Sequence, residues 1–564
     1  MAKKRMRFAS AGIAVGCLAA ACSPSTRAVR RGAPVADPRA TSSPASAAQV
    51  ARAAIRLTAD PDGDDRVIAD VHLVGSLASV RSLVFKPSHD ARVDNLSARD
   101  RTGDIEVRVV AQGSAARFEL GRQPTDQLDV RYRVTFGAKG DWYSPYAEPI
   151  ELSFGGDDVL VLPDTEDSFA VEILLKTGGI TSRGASSFAL GNEQHFSAGA
   201  KELRAAYFVA EDVGSAAFHA SDGDDFAAWV GFTAFDPRWV SAEVAGIRSA
   251  VDAYVGRTTS PNAPPNSFIF AARRTGTRDG APIVVESRTR GLVLSVDRQA
   301  TWSAAARILA TQALVRRYVG GSLWVGDRKD EASGAFFSDG FSRAIARELL
   351  FDASWLSAVD RAAELNTLLA AVAFASDARG LVVARGALVA TALDVALRKG
   401  SDGKRSLKTF VRERLTQGAK QAKDTISYAD FVESARESAG DTAAREMDAG
   451  LHQGVEAKLP ADLVGPCFRL VPKLLVQFEL GFVTSSADVL TVESVKPGSR
   501  ADAAGVRVGD VVSELHYEPG RSATPVKMIV QRQERKVPLR FMPAGLARPG
   551  RQFERIAGLA DDRC

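Results

Sequence analysis

From Gln299 to about Leu459 the apolar residues of this chain recur at helical spacing, and on both sides they alternate in short runs broken by Gly, Asp and Pro. A repeat of about 3.6 residues and a repeat of two do not fit one kind of layer, so the change of pattern separates helix-built from strand-built parts. The helical signal is clearest in Trp302 to Tyr318, Phe341 to Leu350, Leu365 to Ala375, Ala387 to Leu397 and Leu407 to Leu415. Upstream, Ala54 to Leu57, Val67 to Val74 and Val130 to Phe136 read as strands of an antiparallel domain. Strands at Phe169 to Leu175, Leu203 to Ala210, Phe226 to Phe232 and Phe268 to Ala272 then alternate with a helix through Val244, Ile247, Val251 and Tyr254, which Gly256 stops. Short strands return after residue 463, and 564 residues exceed what one core accommodates. The expected class is α+β, multidomain.

The N-terminus carries an export pattern. Lys3 to Arg7 form a basic run, Phe8 to Ala21 an apolar one, and Leu18-Ala19-Ala20-Ala21 lead into Cys22. A cysteine after small residues resembles the lipobox of bacterial lipoproteins, which implies a diacylglycerol anchor on Cys22; Cys17 is the weaker candidate. Residues 1–21 read as a lipoprotein signal peptide and 22–49, rich in Ser, Pro and Ala, as a tether. Ser23 fits outer-membrane sorting, so the expected place is the cell envelope, lipid-anchored, on the periplasmic side or the surface. Past Gln49 no apolar run reads as a membrane span. Removing Lys3, Lys4, Arg5 and Arg7 leaves 68 basic against 68 acidic residues, a balance that predicts no attraction to nucleic acid. Asp60 to Asp65 reads as a hairpin turn rather than a calcium loop, because Val71 stands where a bidentate Glu is needed.

Near the C-terminus, Glu479-Leu480-Gly481-Phe482, Leu490 to Val495, Pro497 to Ala501 and Ala504 to Val512 follow one another in an order that resembles a PDZ domain. The resemblance implies that Leu480, Gly481 and Phe482 turn backbone N–H groups toward a peptide carboxylate. The segment His516 to Thr524 is too short for the helix that forms the second wall of such a groove, so a packing module with a damaged groove stands beside peptide binding as a reading.

Ala384-Arg385-Gly386-Ala387-Leu388-Val389, then Leu393 to Arg398 and Ser406-Leu407, resemble the PDZ-containing glycyl aminopeptidase family of gluzincin metallopeptidases. Active members carry His-Glu-x-x-His on one helix, where the spacing puts two imidazoles on one face for zinc and the Glu serves as general base. The corresponding run is Gln312 to Gly321: Gln312 and Arg316 stand at the histidine positions and Ala313 at the base. A guanidinium has no lone pair to give. The third ligand position corresponds to Asp339 in Ser338-Asp339-Gly340-Phe341, a run that otherwise reads as a helix start, and Val383 replaces the expected tyrosine. The substrate-edge motif keeps Glu286 alone, in Ile283 to Ser287; Glu286 contacts a peptide amine or merely sits on a strand edge. All six histidines lie outside residues 220–451, and no His-x-x-x-His or Cys-x-x-Cys spacing occurs.

The resemblance implies a β-sandwich-like domain over 50–165, a thermolysin-like mixed sheet with a helical peptidase-type domain over 166–462, a PDZ-like domain over 463–545 and a tail over 546–564. The expected function is a pseudopeptidase lipoprotein, a binding or assembly scaffold with no catalytic residue, no metal and no cofactor. It would meet a protein or peptide partner through the cleft or the PDZ-like module, and the membrane through its lipid. The alternatives are an active zinc metallo-aminopeptidase and a purely structural lipoprotein. In an oxidising compartment Cys467 and Cys564 are a candidate disulfide, with a buried thiol and a free tail thiol as the alternative.

Overall fold

The computed structural model describes residues 51–559 apart from short internal stretches, the longest being 138–144, 258–263 and 274–282. The first part is built of strands whose alternate side chains are buried, as in Arg66–Val74, where Val67, Ala69, Val71 and Leu73 face inward. Ala51–Ala59 pairs antiparallel with Arg66–Val74 on one side and parallel with Ser168–Lys176 on the other, inside a seven-stranded sheet. Two four-stranded sheets close over it, and Ile55, Leu57, Phe154 and Phe208 lie in their common core.

This β region therefore runs past the boundary expected at residue 165. Ser168–Lys176 sits between Ala51–Ala59 and Glu193–Gly199, and Tyr207–Glu211 pairs with Glu151–Gly155. The pairing is a non-local choice that strand periodicity does not encode. The strand expected over Leu203 to Ala210 is split, with a short helix at Ala200–Arg204 and a strand at Tyr207–Glu211.

A five-stranded mixed sheet follows, ordered Gly214–Ala220, Gly223–Val230, Asn266–Arg273, Gly291–Asp297, Ile283–Arg288. The three middle strands run parallel, and Ile283–Arg288 returns antiparallel as the last strand. Pro237–Val255 packs on this sheet; the Asp236 carboxylate accepts from Arg238 N–H at its start, and Gly256 in the left-handed region (φ 77°) ends it. Buried Arg248 ties that helix to the sheet, donating to Asp225 at 2.9 Å and to Asp252 at 2.8 Å, while Tyr318 donates to Asp252 at 2.6 Å.

The helical part comprises Ala304–Arg316, Ser342–Asp352, Ala358–Phe374, Ala378–Gly400, Leu407–Lys420, Tyr428–Ala439 and Asp441–His452. Contrary to the expectation that no apolar run past Gln49 reads as a membrane span, Ala378–Gly400 is long and apolar enough to cross a bilayer by length and composition; half of its apolar window is buried against the rest of this bundle.

The C-terminal module begins and ends on one antiparallel ribbon, Phe468–Phe478 with Ala544–Arg555, so residues up to 555 belong to it and not to the tail expected over 546–564. Asn366 on Ala358–Phe374 grips that ribbon twice: its amide donates to the Phe553 carbonyl at 3.0 Å and its oxygen accepts from the Phe553 N–H at 2.7 Å. Beyond the ribbon, Leu480, Phe482, Val492 and Val530 form a small separate core. Between Val511–His516 and Val526–Arg532 the described residues form turns and no helix.

Candidate functional site

Gln312, Ala313 and Arg316 occupy the last two turns of Ala304–Arg316, which Ser303 caps by accepting from Ala306 N–H. Ala313 is buried, and its carbonyl accepts the Ser287 hydroxyl at 2.6 Å, fixing the edge strand Ile283–Arg288 against this helix.

Asp339 arrives from a different element. Ser338 and Asp339 do not open a helix, as their sequence suggests; they lie in a π-turn, Phe336–Phe341, that runs directly into Ser342–Asp352. A π-turn holds one residue more than an α-turn and shifts the side chains that follow. A close crossing lies at this turn. A Cβ on Gly386 would stand 2.4 Å from the Phe336 carbonyl oxygen, and one on Gly340 would stand 2.8 Å from Gly386 Cα. Glycine at both positions lets Ala378–Gly400 touch the π-turn backbone to backbone. Val383 sits one turn before that crossing, its carbonyl 2.9 Å from where a Gly340 Cβ would be.

These elements bring Gln312, Arg316 and Asp339 together. The Gln312 amide donates to the Asp339 carbonyl at 3.0 Å, both residues being buried. The Asp339 carboxylate takes Arg316 Nε at 2.8 Å on one oxygen and Arg379 Nη2 at 3.2 Å on the other. The Asp339 side chain is 7% exposed, whereas Arg316 is 41% and Arg379 62% exposed. Arg379 was not singled out from the sequence, although it lies one helical turn before Val383 and that spacing was readable.

Glu286 stands on the edge strand, 3.1 Å from Arg288, which also holds Asp157 at 3.0 Å. Asp157 and Asp158 belong to the short turn Gly156–Asp158 of the first β region. Fully buried Asp158 accepts from His89 Nδ1 at 2.9 Å and from the N–H groups of Ser88 and His89. The hydrogen bond to Asp158 raises the His89 pKa, with burial opposing. Burial raises that of Asp157, with Arg288 opposing. This cluster joins the first β region to the edge strand from positions more than a hundred residues apart, which is why no local motif announced it.

The other candidates lie elsewhere. Leu480 and Phe482 are buried in the core of the C-terminal module, and Gly481 (φ 79°) turns the chain between them, its carbonyl accepting Lys496 N–H at 2.9 Å. Cys467 is buried and disulfide-bonded. Cys22 and Cys564 lie outside the described residues.

No family model matches the chain, and no curated protein matches it. Solved structures do. An aminopeptidase N family protein from Idiomarina loihiensis superposes with a TM-score of 0.62 at 14% identity, over 87% of this chain and 96% of that one. The chain shares that fold. An M1 zinc metallopeptidase from Deinococcus radiodurans matches at a TM-score of 0.47 and 14% identity, over 73% of this chain and 95% of that one.

The resemblance at Gln312, Arg316 and Asp339 raises the question of zinc. The donor set here does not fit one. Arg316 offers no lone pair and carries a fixed positive charge, and both Asp339 oxygens are already held by guanidinium groups. Among the described residues no three His, Cys, Asp or Glu side chains converge as a ligand group.

Proposed function

We propose that this protein is a non-catalytic member of the gluzincin type, close to the PDZ-containing glycyl aminopeptidases, held at the cell envelope by a lipid on Cys22 and used as a binding or assembly scaffold. The observation that carries the reading is the Arg316–Asp339 ion pair, which joins two helices where the resemblance puts a zinc ion. The loss of chemistry is not one substitution. Gln312 spends its amide on the Asp339 backbone, Ala313 lacks a base, and Val383 lacks a phenol. Each such loss costs orders of magnitude in rate, so a chain selected for turnover would not keep all of them.

The binding surface in this reading is the edge strand Ile283–Arg288, whose Glu286 is held in place by Arg288. An extended segment can add to such an edge through its backbone. The PDZ-like module serves as a second, partial groove: the wall helix is missing among the described residues of 517–525, and the Leu480–Gly481 turn remains.

An active aminopeptidase is the second reading, favoured by the fold shared with the Idiomarina loihiensis protein. Metal analysis of protein purified without chelator, beside an aminopeptidase assay with added zinc, separates the two. We expect no stoichiometric zinc and no cleavage. One tightly held equivalent with chelator-sensitive turnover would overturn the proposal. Fractionation tests the anchor: wild type should partition with membranes and Cys22→Ala should not.

A further inference from the structure

We propose that the Arg316–Asp339–Arg379 cluster is an anion-binding site that takes a carboxylate or phosphate group of a ligand; the inference rests on the non-catalytic reading above. Neutralising Asp339 requires one cation, and the structure supplies two. A second guanidinium on the same carboxylate adds like-charge repulsion and leaves the trio with a net positive charge. An incoming anion removes both.

The cluster is also arranged in advance. The Gln312 amide pins the Asp339 backbone, the π-turn sets its side chain, and the buried carboxylate then orients the two arginines. Arg316 uses Nε and Arg379 uses one terminal nitrogen. Both side chains reach solvent, so neither guanidinium is enclosed by its contact with Asp339. A planar guanidinium presents paired donors that match the two oxygens of a carboxylate or phosphate, and charge-assisted bonds of this kind are the strong ones. An ordinary structural ion pair at a helix crossing would need neither the second arginine nor the exposure.

The position favours a ligand that also follows the edge strand. Ser287 locks Ile283–Arg288 to Ala313, three residues before Arg316, so that edge lies against the helix that carries one arginine of the cluster. For a peptide, the matching group is its free C-terminal carboxylate; for a small oxyanion, it is the whole molecule.

The test is calorimetric titration of the full chain, in detergent if it carries lipid, with acetyl-trialanine as the free acid, the same peptide as its C-terminal amide, and inorganic phosphate. The acid should bind at least about tenfold more tightly than the amide, and Arg379→Gln should abolish that preference. Arg316→Gln should do the same, but Arg379, the more exposed, carries the test if the other variant does not fold. Phosphate binding that Arg379→Gln removes, with acid and amide both silent, supports the anion site and assigns it to a small oxyanion. Equal binding of acid and amide without phosphate binding overturns the inference and leaves the scaffold reading standing. So does a preference that survives Arg379→Gln, or silence from all three probes. Zinc-dependent turnover would instead sink the scaffold reading itself.

Discussion

Removing the arginines around Asp339 one at a time and then together should give a strongly non-additive loss of stability. A dry, buried ion pair broken on one side costs about 3–5 kcal/mol, because the remaining charge is left without a partner. Arg316 is not dry: its side chain is 41% exposed, and Arg379 stays on the other Asp339 oxygen when Arg316 is gone. Solvent screening and the second cation reduce the cost of Arg316→Ala to about 1 kcal/mol. Arg379, at 62% exposure, should cost about 0.5 kcal/mol. The double variant differs in kind. Asp339 remains 7% exposed with no cation beside it, and the loss should reach about 3 kcal/mol, well beyond the sum of the single changes. Adding Asp339→Asn to the double variant should recover most of that loss, since a neutral amide of the same shape does not need a counter-charge. Urea unfolding at neutral pH, followed by tryptophan fluorescence, gives the four corners of the cycle. A double variant equal to the sum of its parts would refute the idea that two guanidiniums share one buried carboxylate.

Three further outcomes follow from other parts of the molecule. Gly386→Ala should destabilise by about 2–3 kcal/mol in the same urea assay, because its Cβ would meet the Phe336 carbonyl, while Gly400→Ala, with nothing within 4 Å, should be near neutral. His89 has a raised folded pKa, so its contribution is complete below the unfolded value of 6.5 and lost as pH rises through the folded one. Asp157, raised by burial, acts in the same direction from its unfolded value of 3.8 upward. The unfolding midpoint should therefore fall from about pH 6 to about pH 8.5, and His89→Gln should flatten that slope; an unchanged slope would exclude the cluster with Asp158, Asp157, Glu286 and Arg288 as its source. Finally, digestion without reductant should yield one linked peptide joining Cys467 to Cys564, which free Cys564 in the same digest would contradict.

The order of strands, helices and strands was legible in the sequence because periodicity is a local property. Ala304–Arg316, Ser342–Asp352 and Leu407–Lys420 fall where the apolar spacing puts them, and Gly256 ends its helix as its position predicts. The identity of Gln312, Ala313 and Arg316 at one helix end was legible for the same reason. Tertiary structure decided what local pattern does not contain. The parallel pairing of Ala51–Ala59 with Ser168–Lys176 moved the first β region to Glu211, since a strand does not specify its neighbour. The apparent helix start at Ser338 is a π-turn that meets Gly386 backbone to backbone, a contact that neither segment alone records. That turn delivers Asp339 to Arg316 and Arg379 at once. Gln312, Arg316 and Asp339 were readable one by one in the chain; the carboxylate shared with Arg379 exists only where three helical segments meet.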